Sequence, residues 1–295
     1  MSYPRFCGIM PALVTPLDAD ERINVPVLKQ LLNYFVDEGA DGFYIGGATG
    51  EGLALRTEER MILAEESVAA VAHRKPCIVQ VAATDFNDAL LLAKQAEACG
   101  ADAISATPPL FFGYDEEAVY QYYKRLANAV HIPVMIYYNP DAGFHVTADF
   151  AARCHQVDNI TAIKWTCASY DEMLRLKDLT NGEMNILNGP DQMLLMGLNA
   201  GADGGIGTTY NFMLERYKEI YRAFHAGEQA QAQKVQMTTD RVIKAVCQYD
   251  LIPATKALME HMGFAVGNAT FPLTCYNEQS KAKIVADARA AGWDR

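Results

Sequence analysis

Positive charge is scarce in this sequence. Its 295 residues include 25 Lys and Arg against 36 Asp and Glu, so the formal net charge is −11 at pH 7. A protein that binds nucleic acid needs clustered basic side chains to neutralise the phosphates. This balance therefore argues against nucleic acid as the main partner, whereas a small anionic substrate would need only one local positive site.

Long apolar runs and paired cysteines are missing as well. No apolar run reaches the ~18 residues that a membrane-spanning helix needs, and the N-terminus lacks the charged and apolar segments of a secretory signal. The seven cysteines are odd in number and scattered, without C-x-x-C spacing, which indicates reduced thiols in a cytoplasmic protein. The six histidines show no ligand spacing with each other or with cysteine, so we expect no metal site.

Short apolar segments recur along the chain at intervals of about 28 residues, roughly the length of one βα unit. They lie at residues 8–14, 42–45, 77–81, 103–106, 133–137, 161–164, 185–187 and 204–206. Their near-continuous apolar character is typical of parallel strands that are buried on both faces. The pattern predicts an α/β protein with a (β/α)8 barrel, the TIM barrel. The rival architecture, a doubly wound open sheet, usually has fewer strands and no long helical tail.

Amphipathic helical patterns fill the intervals between these segments. The clearest lie at residues 26–37, 57–71, 85–99 and 115–130. Thr57 and Asp85 are the predicted N-caps of the second and third. After the last strand, helices are predicted at residues 214–225, 229–248, 252–262 and 278–291. We therefore assign 1–210 to the barrel core and 211–295 to the last barrel helix and a C-terminal helical extension, together one structural unit.

Lys164 closes the sixth apolar segment, Ile160-Thr161-Ala162-Ile163-Lys164-Trp165. Catalytic groups in a barrel stand at the C-terminal ends of the strands. Burial disfavours the charged ammonium form, so a lysine at this place loses its proton more readily and can attack a ketone to form an imine. The alternative is a lysine whose stem packs at the strand edge while its amine reaches water.

Other strand ends carry polar or glycine-rich residues. The Tyr137 hydroxyl could transfer protons, or its ring could simply cap the barrel core. The segment 46–52, Gly-Gly-Ala-Thr-Gly-Glu-Gly, could bring backbone N–H groups close to a carboxylate, or form a tight turn between strand and helix. Asp191 could bind substrate hydroxyls, or serve as a helix N-cap.

Four motifs in order carry a resemblance to a known family. Gly46-Gly47-Ala48-Thr49-Gly50-Glu51, Tyr137-Tyr138-Asn139-Pro140, Ile163-Lys164 and residues 201–211 resemble segments of the pyruvate-dependent class I lyases, which include N-acetylneuraminate lyase and dihydrodipicolinate synthase. The resemblance covers nearly the whole chain. It implies that Lys164 forms a Schiff base with pyruvate and that Tyr137 transfers protons, without a metal or organic cofactor. It also implies a homotetramer built as a dimer of dimers.

The segments at 188–191 and 201–211 look like the N-acetylneuraminate lyase branch. Under this resemblance the substrate contacts come from Ala48, Thr49, Thr166, Gly189, Asp191, Gln192, Ile206 and Thr208. Ala48 and Thr49 would hold the pyruvate carboxylate, and the polyhydroxy tail would lie against Gly189, Asp191, Gln192 and Thr208. The arginine that dihydrodipicolinate synthase uses for a second carboxylate is missing, because residues 141–143 (Asp-Ala-Gly) stand in its region.

Several positions depart from the family pattern. Ala48 replaces the usual Ser or Thr, Leu110 a tyrosine that reaches the neighbouring subunit's site, Gln192 the branch's Glu, and Tyr138 the Asn that follows the reactive tyrosine. The expected function is cleavage of a 2-oxo acid sugar, N-acetylneuraminate first, to pyruvate and an aldehyde sugar. The alternatives are a lyase or dehydratase for another 2-oxo acid, such as a 2-keto-3-deoxy sugar acid or, with less support, dihydrodipicolinate synthesis. A non-catalytic protein that binds 2-oxo acids is the alternative of another class.

Overall fold

Eight parallel strands form the centre of the computed structural model, which describes residues 3–295 and leaves Met1 and Ser2, the start of the predicted barrel core, outside the described residues. The strands are β1 (Gly8–Pro11), β2 (Phe43–Ile45), β3 (Cys77–Gln80), β4 (Ala103–Ala106), β5 (Val134–Tyr138), β6 (Ile160–Trp165), β7 (Asn185–Asn188) and β8 (Gly204–Gly207). Each pairs with its neighbours in chain order, and β1 pairs with β8. A bridge between Ala12 and Tyr44 joins β1 to β2 and completes the ring. The predicted (β/α)8 barrel is confirmed.

Helices alternate with the strands and continue after the last one. They are α1 (Val25–Asp37), α2 (Thr57–Val71), α3 (Phe86–Ala98), α4 (Glu116–Ala127), α5 (Ala148–Cys154), α6 (Tyr170–Leu179), α7 (Leu194–Asn199), α8 (Tyr210–His225), α9 (Gln229–Val246), α10 (Leu251–His261) and α11 (Glu278–Ala290). None of the helices within residues 3–295 is long and apolar enough to cross a membrane. The last barrel helix is α8, and the three helices after it, α9 to α11, form the C-terminal helical extension.

The predicted helices are present, with ends that differ by a few residues. Asp85 caps α3 as predicted, with its side chain accepting from Asn87 N. The cap predicted at Thr57 is wrong, because Thr57 is already helical and Arg56 precedes α2 without a side-chain cap. The helix predicted from residue 214 begins earlier, at Tyr210. Met213, within its first turn, has a non-helical backbone that interrupts the periodic pattern. The division of the chain at residues 210 and 211, which falls in the first turn of α8, stays a prediction.

Two apolar layers surround the strands. The inner layer fills the barrel and includes Met10, Tyr44, Met135, Tyr137 and Leu187. The outer layer packs the other face of each strand against the helices. Successive side chains of a strand point to opposite faces, so alternation along each strand decides which residues face the barrel axis.

Glycines let β1 and β8 lie unusually close at the point where the barrel closes. Gly8 pairs with Gly204 in the parallel register. A Cβ on Gly204 would lie 2.1 Å from the carbonyl oxygen of Gly8. The backbone of Gly8 has φ +86°, a left-handed conformation that favours glycine.

The C-terminal extension is tied to the barrel by a buried ion pair. Lys256 Nζ on α10 lies 2.6 Å from Glu51 Oε1, and both side chains are almost fully buried. Lys256 also donates to Asn268 O, and Glu51 Oε2 accepts from Thr270 N. The glycine-rich segment after β2 and the chain after α10 therefore hold each other in place.

Gly204→Ala should destabilise the protein strongly, because the added Cβ would overlap the backbone of β1. We expect the free energy of unfolding in urea to fall by about 3 kcal/mol or more, as at overpacked sites. Gly113→Ala is the control, since a Cβ there meets nothing within 4 Å and should change this free energy by at most about 1 kcal/mol. Equal unfolding free energies for the two variants would contradict the close approach of β1 and β8.

Candidate functional site

Lys164 stands one residue before the end of β6, where its neighbours in register are Tyr137 on β5 and Leu187 on β7. Only 5% of the residue is exposed. Its Nζ lies 4.4 Å from the ring centroid of Tyr137 and 4.6 Å from that of Tyr44. Within residues 3–295 this amine has no hydrogen-bond or ion-pair partner. The prediction of a buried lysine is confirmed, and a lysine reaching out into water is excluded.

Tyr44 is the second ring at this amine, and sequence reasoning missed it. It lies on β2, fully buried, with its ring centroid 5.8 Å from that of Tyr137 and the planes at 79°. The Tyr44 hydroxyl donates to Ser105 Oγ at 3.0 Å, and Ser105 Oγ donates to Met135 O at 3.0 Å. Burial raises the pKa of Tyr44 well above its usual range. The available signal was its place on an inward-facing position, two residues before the glycine-rich segment.

The two adjacent tyrosines of β5 point in opposite directions. Tyr137 belongs to the apolar layer inside the barrel, beside Lys164. Tyr138 belongs to the outer layer, where its ring packs on Trp165 and its hydroxyl lies 2.9 Å from His145 Nδ1. Burial raises the pKa of Tyr138 to about 12. Of the two hydroxyls, the one of Tyr137 is therefore on the same side of the sheet as the amine.

The glycine-rich segment after β2 folds back on itself beside the end of β8. Its backbone turns through bonds from Glu51 N to Ala48 O at 3.0 Å and from Gly52 N to Gly47 O at 3.1 Å. A Cβ on Gly52 would overlap the carbonyl of Gly46. Thr49 is buried and its Oγ1 lies 2.6 Å from Thr208 Oγ1. The tight turn is thus present, and one of its side chains meets a second predicted substrate-binding residue.

A cavity of about 490 Å³ opens beyond the C-terminal ends of β5 to β8. Its lining includes five of the predicted substrate-binding residues: Thr166, Gly189, Asp191, Gln192 and Thr208. Ala48, Thr49 and Ile206 do not line it, since Ala48 is exposed elsewhere on its loop and Ile206 is fully buried inside the barrel. Thr166 is the first residue after β6, two positions beyond Lys164.

Close backbone packing shapes the floor of this cavity. A Cβ on Gly189 would lie 2.1 Å from Thr166 Oγ1, and a Cβ on Gly207 would lie 2.1 Å from Asp191 Oδ1. The hydroxyl of Thr166 is buried and has no hydrogen-bond partner within the described part of the chain. This hydroxyl therefore has hydrogen-bonding capacity that the described part of the chain does not use.

Asp191 does not cap the short turn in which it lies. The N-cap position of that turn is Pro190. Asp191 Oδ2 instead accepts from Thr209 N and Thr209 Oγ1, both at 2.7 Å, and so supports the start of α8. Burial raises the pKa of the Asp191 carboxyl to about 6. The carboxylate thus joins β7 to β8, and its other oxygen, Oδ1, packs against Gly207.

One wall of the cavity comes from residues that sequence reasoning did not select. Ile243 and Cys247 at the end of α9, with Leu251 at the start of α10, line it opposite the strand ends. Asn139 and Asp141, after β5, add polar groups. The helices themselves were predicted, but no local pattern indicates which of their side chains turn towards the barrel.

Comparison with known proteins adds to this geometry. Residues 5–291 match the Dihydrodipicolinate synthetase family. The chain belongs to the dihydrodipicolinate synthetase family. Members of this family are carbon–carbon lyases that act through a Schiff base, and the chain is a class I, pyruvate-dependent aldolase of this kind.

Relatives of this chain include N-acetylneuraminate lyases and a sialic acid aldolase. An N-acetylneuraminate lyase of Rhizobium meliloti (strain 1021) is 31% identical over 277 residues, 94% of this chain and 92% of the relative. The N-acetylneuraminate lyase of Proteus mirabilis superposes with a TM-score of 0.94 at 26% identity, covering 99% of this chain and 100% of that one. A catalytic lysine mutant of the Ruminococcus gnavus sialic acid aldolase gives 0.93 at 27% identity, covering 97% and 95%.

Proposed function

We propose that this lyase cleaves N-acetylneuraminate to pyruvate and an aldehyde sugar, with Lys164 as the residue that forms the Schiff base. The observation that carries the proposal is the Lys164 amine, buried between two aromatic rings and two residues before Thr166, which lines the cavity. A lysine amine can attack the carbonyl carbon of a 2-oxo acid and form a Schiff base. The catalytic lysine of the related sialic acid aldolase supports the same role.

The proposed reaction uses two side chains. Lys164 Nζ attacks C2 of the open-chain 2-oxo acid, and water leaves to give an iminium ion. The iminium accepts the electron pair of the C3–C4 bond as that bond breaks, while Tyr137 takes the proton of the C4 hydroxyl and the aldehyde departs. The enamine is then protonated at C3 with help from Tyr137, and hydrolysis releases pyruvate and the free amine.

Residues around the cavity support an acylated sugar acid as the substrate. Hydroxyl, amide and carboxylate groups at the strand ends, among them Thr166, Asp191 and Gln192, suit the hydroxyls of a sugar tail, and the wall at Ile243 and Leu251 suits an acetyl methyl. A 2-keto-3-deoxy sugar acid is the second candidate, favoured by the missing hydroxyl at Ala48 and the missing tyrosine at Leu110. For either substrate, we propose that a water or a substrate hydroxyl replaces the missing side-chain hydroxyl in the proton path.

Incubation with pyruvate and borohydride should add a reduced pyruvyl group at Lys164, because the imine forms without the rest of the substrate. Peptide mass spectrometry of the full-length protein locates the adduct. An unmodified Lys164 peptide, under conditions that label a known class I aldolase, would contradict the mechanism.

Tyr137→Phe and Tyr138→Phe are a matched pair of variants, to be compared by kcat for substrate cleavage and by borohydride trapping of pyruvate. The first should lower kcat by about 10²-fold or more, since general acid–base help is lost, and should still allow trapping at a reduced rate. The second should change kcat little, because the Tyr138 hydroxyl faces His145 on the other side of the sheet. The reverse order of effects would show that the reactive tyrosine has been assigned one residue too early.

Thr166→Val should weaken recognition of the sugar acid without changing borohydride trapping of pyruvate at Lys164. Loss of one hydrogen bond to a sugar hydroxyl should lower kcat/KM for N-acetylneuraminate by about three- to tenfold. Thr161→Val is the control, because this residue of β6 also has a buried hydroxyl without a partner in the described chain but does not line the cavity. A release assay with 2-keto-3-deoxy sugar acids in parallel identifies the preferred substrate. An equal loss in both variants, or an equal fall in pyruvate trapping, would contradict the proposed contact.

We also propose a homotetramer, a dimer of dimers, that works in the cytoplasm. An apolar patch on the β4–α4 loop supports assembly, since Phe111 and Phe112 are 89% and 63% exposed and their ring centroids lie 5.1 Å apart. The free thiols of all seven cysteines, which lie in the described chain, suit a reducing compartment. Sedimentation velocity should give a species of four chains, and a species of 32.5 kDa would contradict the assembly.

A further inference from the structure

The buried amine of Lys164 is enclosed by two rings, and the proposed reaction uses only one of them. Tyr137 supplies the hydroxyl that moves protons. Tyr44 presents its ring to the same Nζ at 4.6 Å, but its own hydroxyl is engaged with Ser105. The role of Tyr44 must therefore lie in its ring.

Positive charge develops at this nitrogen during the reaction. The iminium formed at this nitrogen is cationic. Within residues 3–295 no carboxylate lies within ion-pair distance of Nζ, and the Asp191 carboxylate acts on it only at longer range. The face of an aromatic ring carries negative charge density and attracts a cation within about 6 Å of its centroid. Because the site is desolvated, this attraction is stronger than it would be in water.

The ring of Tyr44 is held at a fixed angle. Its hydroxyl donates to Ser105 on β4, and Ser105 donates to Met135 O on β5. On the other side, a Cβ on Gly47 would overlap Tyr44 Cε1, so the glycine-rich segment packs directly on the ring. Three strands and a turn therefore define where the Tyr44 ring stands relative to the amine.

We propose that Tyr44 is a positioning residue for the Schiff base: its fixed ring orients the Lys164 side chain and stabilises the iminium through the π face. This inference rests on the proposed role of Lys164. It predicts that iminium formation becomes more favourable as the electron density of the ring at position 44 increases. The Tyr44 hydroxyl then matters only because it anchors that ring.

The test measures the pyruvate concentration that gives half-maximal borohydride trapping at Lys164. Tyr44→Phe should keep this concentration within about threefold of the wild-type value. Tyr44→Leu, which removes the π face, should raise it about tenfold. Tyr123→Leu is the control, since Tyr123 is an equally buried tyrosine that donates to Ala106 O and belongs to the outer layer. It should lower stability while leaving the half-maximal concentration unchanged.

Fluorinated phenylalanines at position 44 keep the test decisive if Tyr44→Leu does not fold. Fluorination removes electron density from the ring face with little change of shape, so the half-maximal pyruvate concentration should rise with each added fluorine relative to Tyr44→Phe. A residue that only fills space would give a flat series, which would overturn the inference. A wild-type protein that is not labelled at Lys164 would instead contradict the proposed function itself, so the two failures are distinguishable.

Discussion

Closure of the parallel barrel is the constraint on which the other features depend. In a parallel sheet all C-terminal strand ends lie on one side, and closing the sheet gathers them into a ring. Here closure requires β1 and β8 to approach so closely that Gly204 has no room for a side chain. Once the ring is closed, residues far apart in the chain meet: Thr49 from the second strand end touches Thr208 from the eighth.

The pleat of each strand then divides neighbouring residues between two environments. Tyr137 and Tyr138 are adjacent in the chain, yet one contributes to the interior around Lys164 and the other to the layer beneath the helices. The buried Lys164 amine lies over the faces of two aromatic rings, and no carboxylate of the described chain is within ion-pair distance of it. Two adjacent residues of β5 thus belong to different regions, one to the interior beside Lys164 and the other to the layer that packs against the helices.

The C-terminal helices do more than cover the barrel. The end of α9 and the start of α10 form one wall of the cavity, with Ile243 and Leu251 facing the strand ends. The buried pair of Glu51 and Lys256 links this extension to the glycine-rich segment that carries Thr49. Such a pair adds little net stability compared with apolar residues, so its value lies in the geometry that it imposes on the segment beside the site.

The amino-acid sequence by itself determined the number and order of strands and helices, because alternating apolar patterns depend on local spacing. It also determined that Lys164 and Tyr137 stand at strand ends, and its motifs indicated the family. Only the tertiary structure decided that Tyr44 and Ser105 lie beside the amine, that Asp191 binds Thr209, and that α9 and α10 shape the cavity. Ile206, predicted from the resemblance as a substrate contact, is buried inside the barrel. These contacts join residues distant in the chain, so barrel closure decides which side chains meet, and no single local segment of the sequence reveals it.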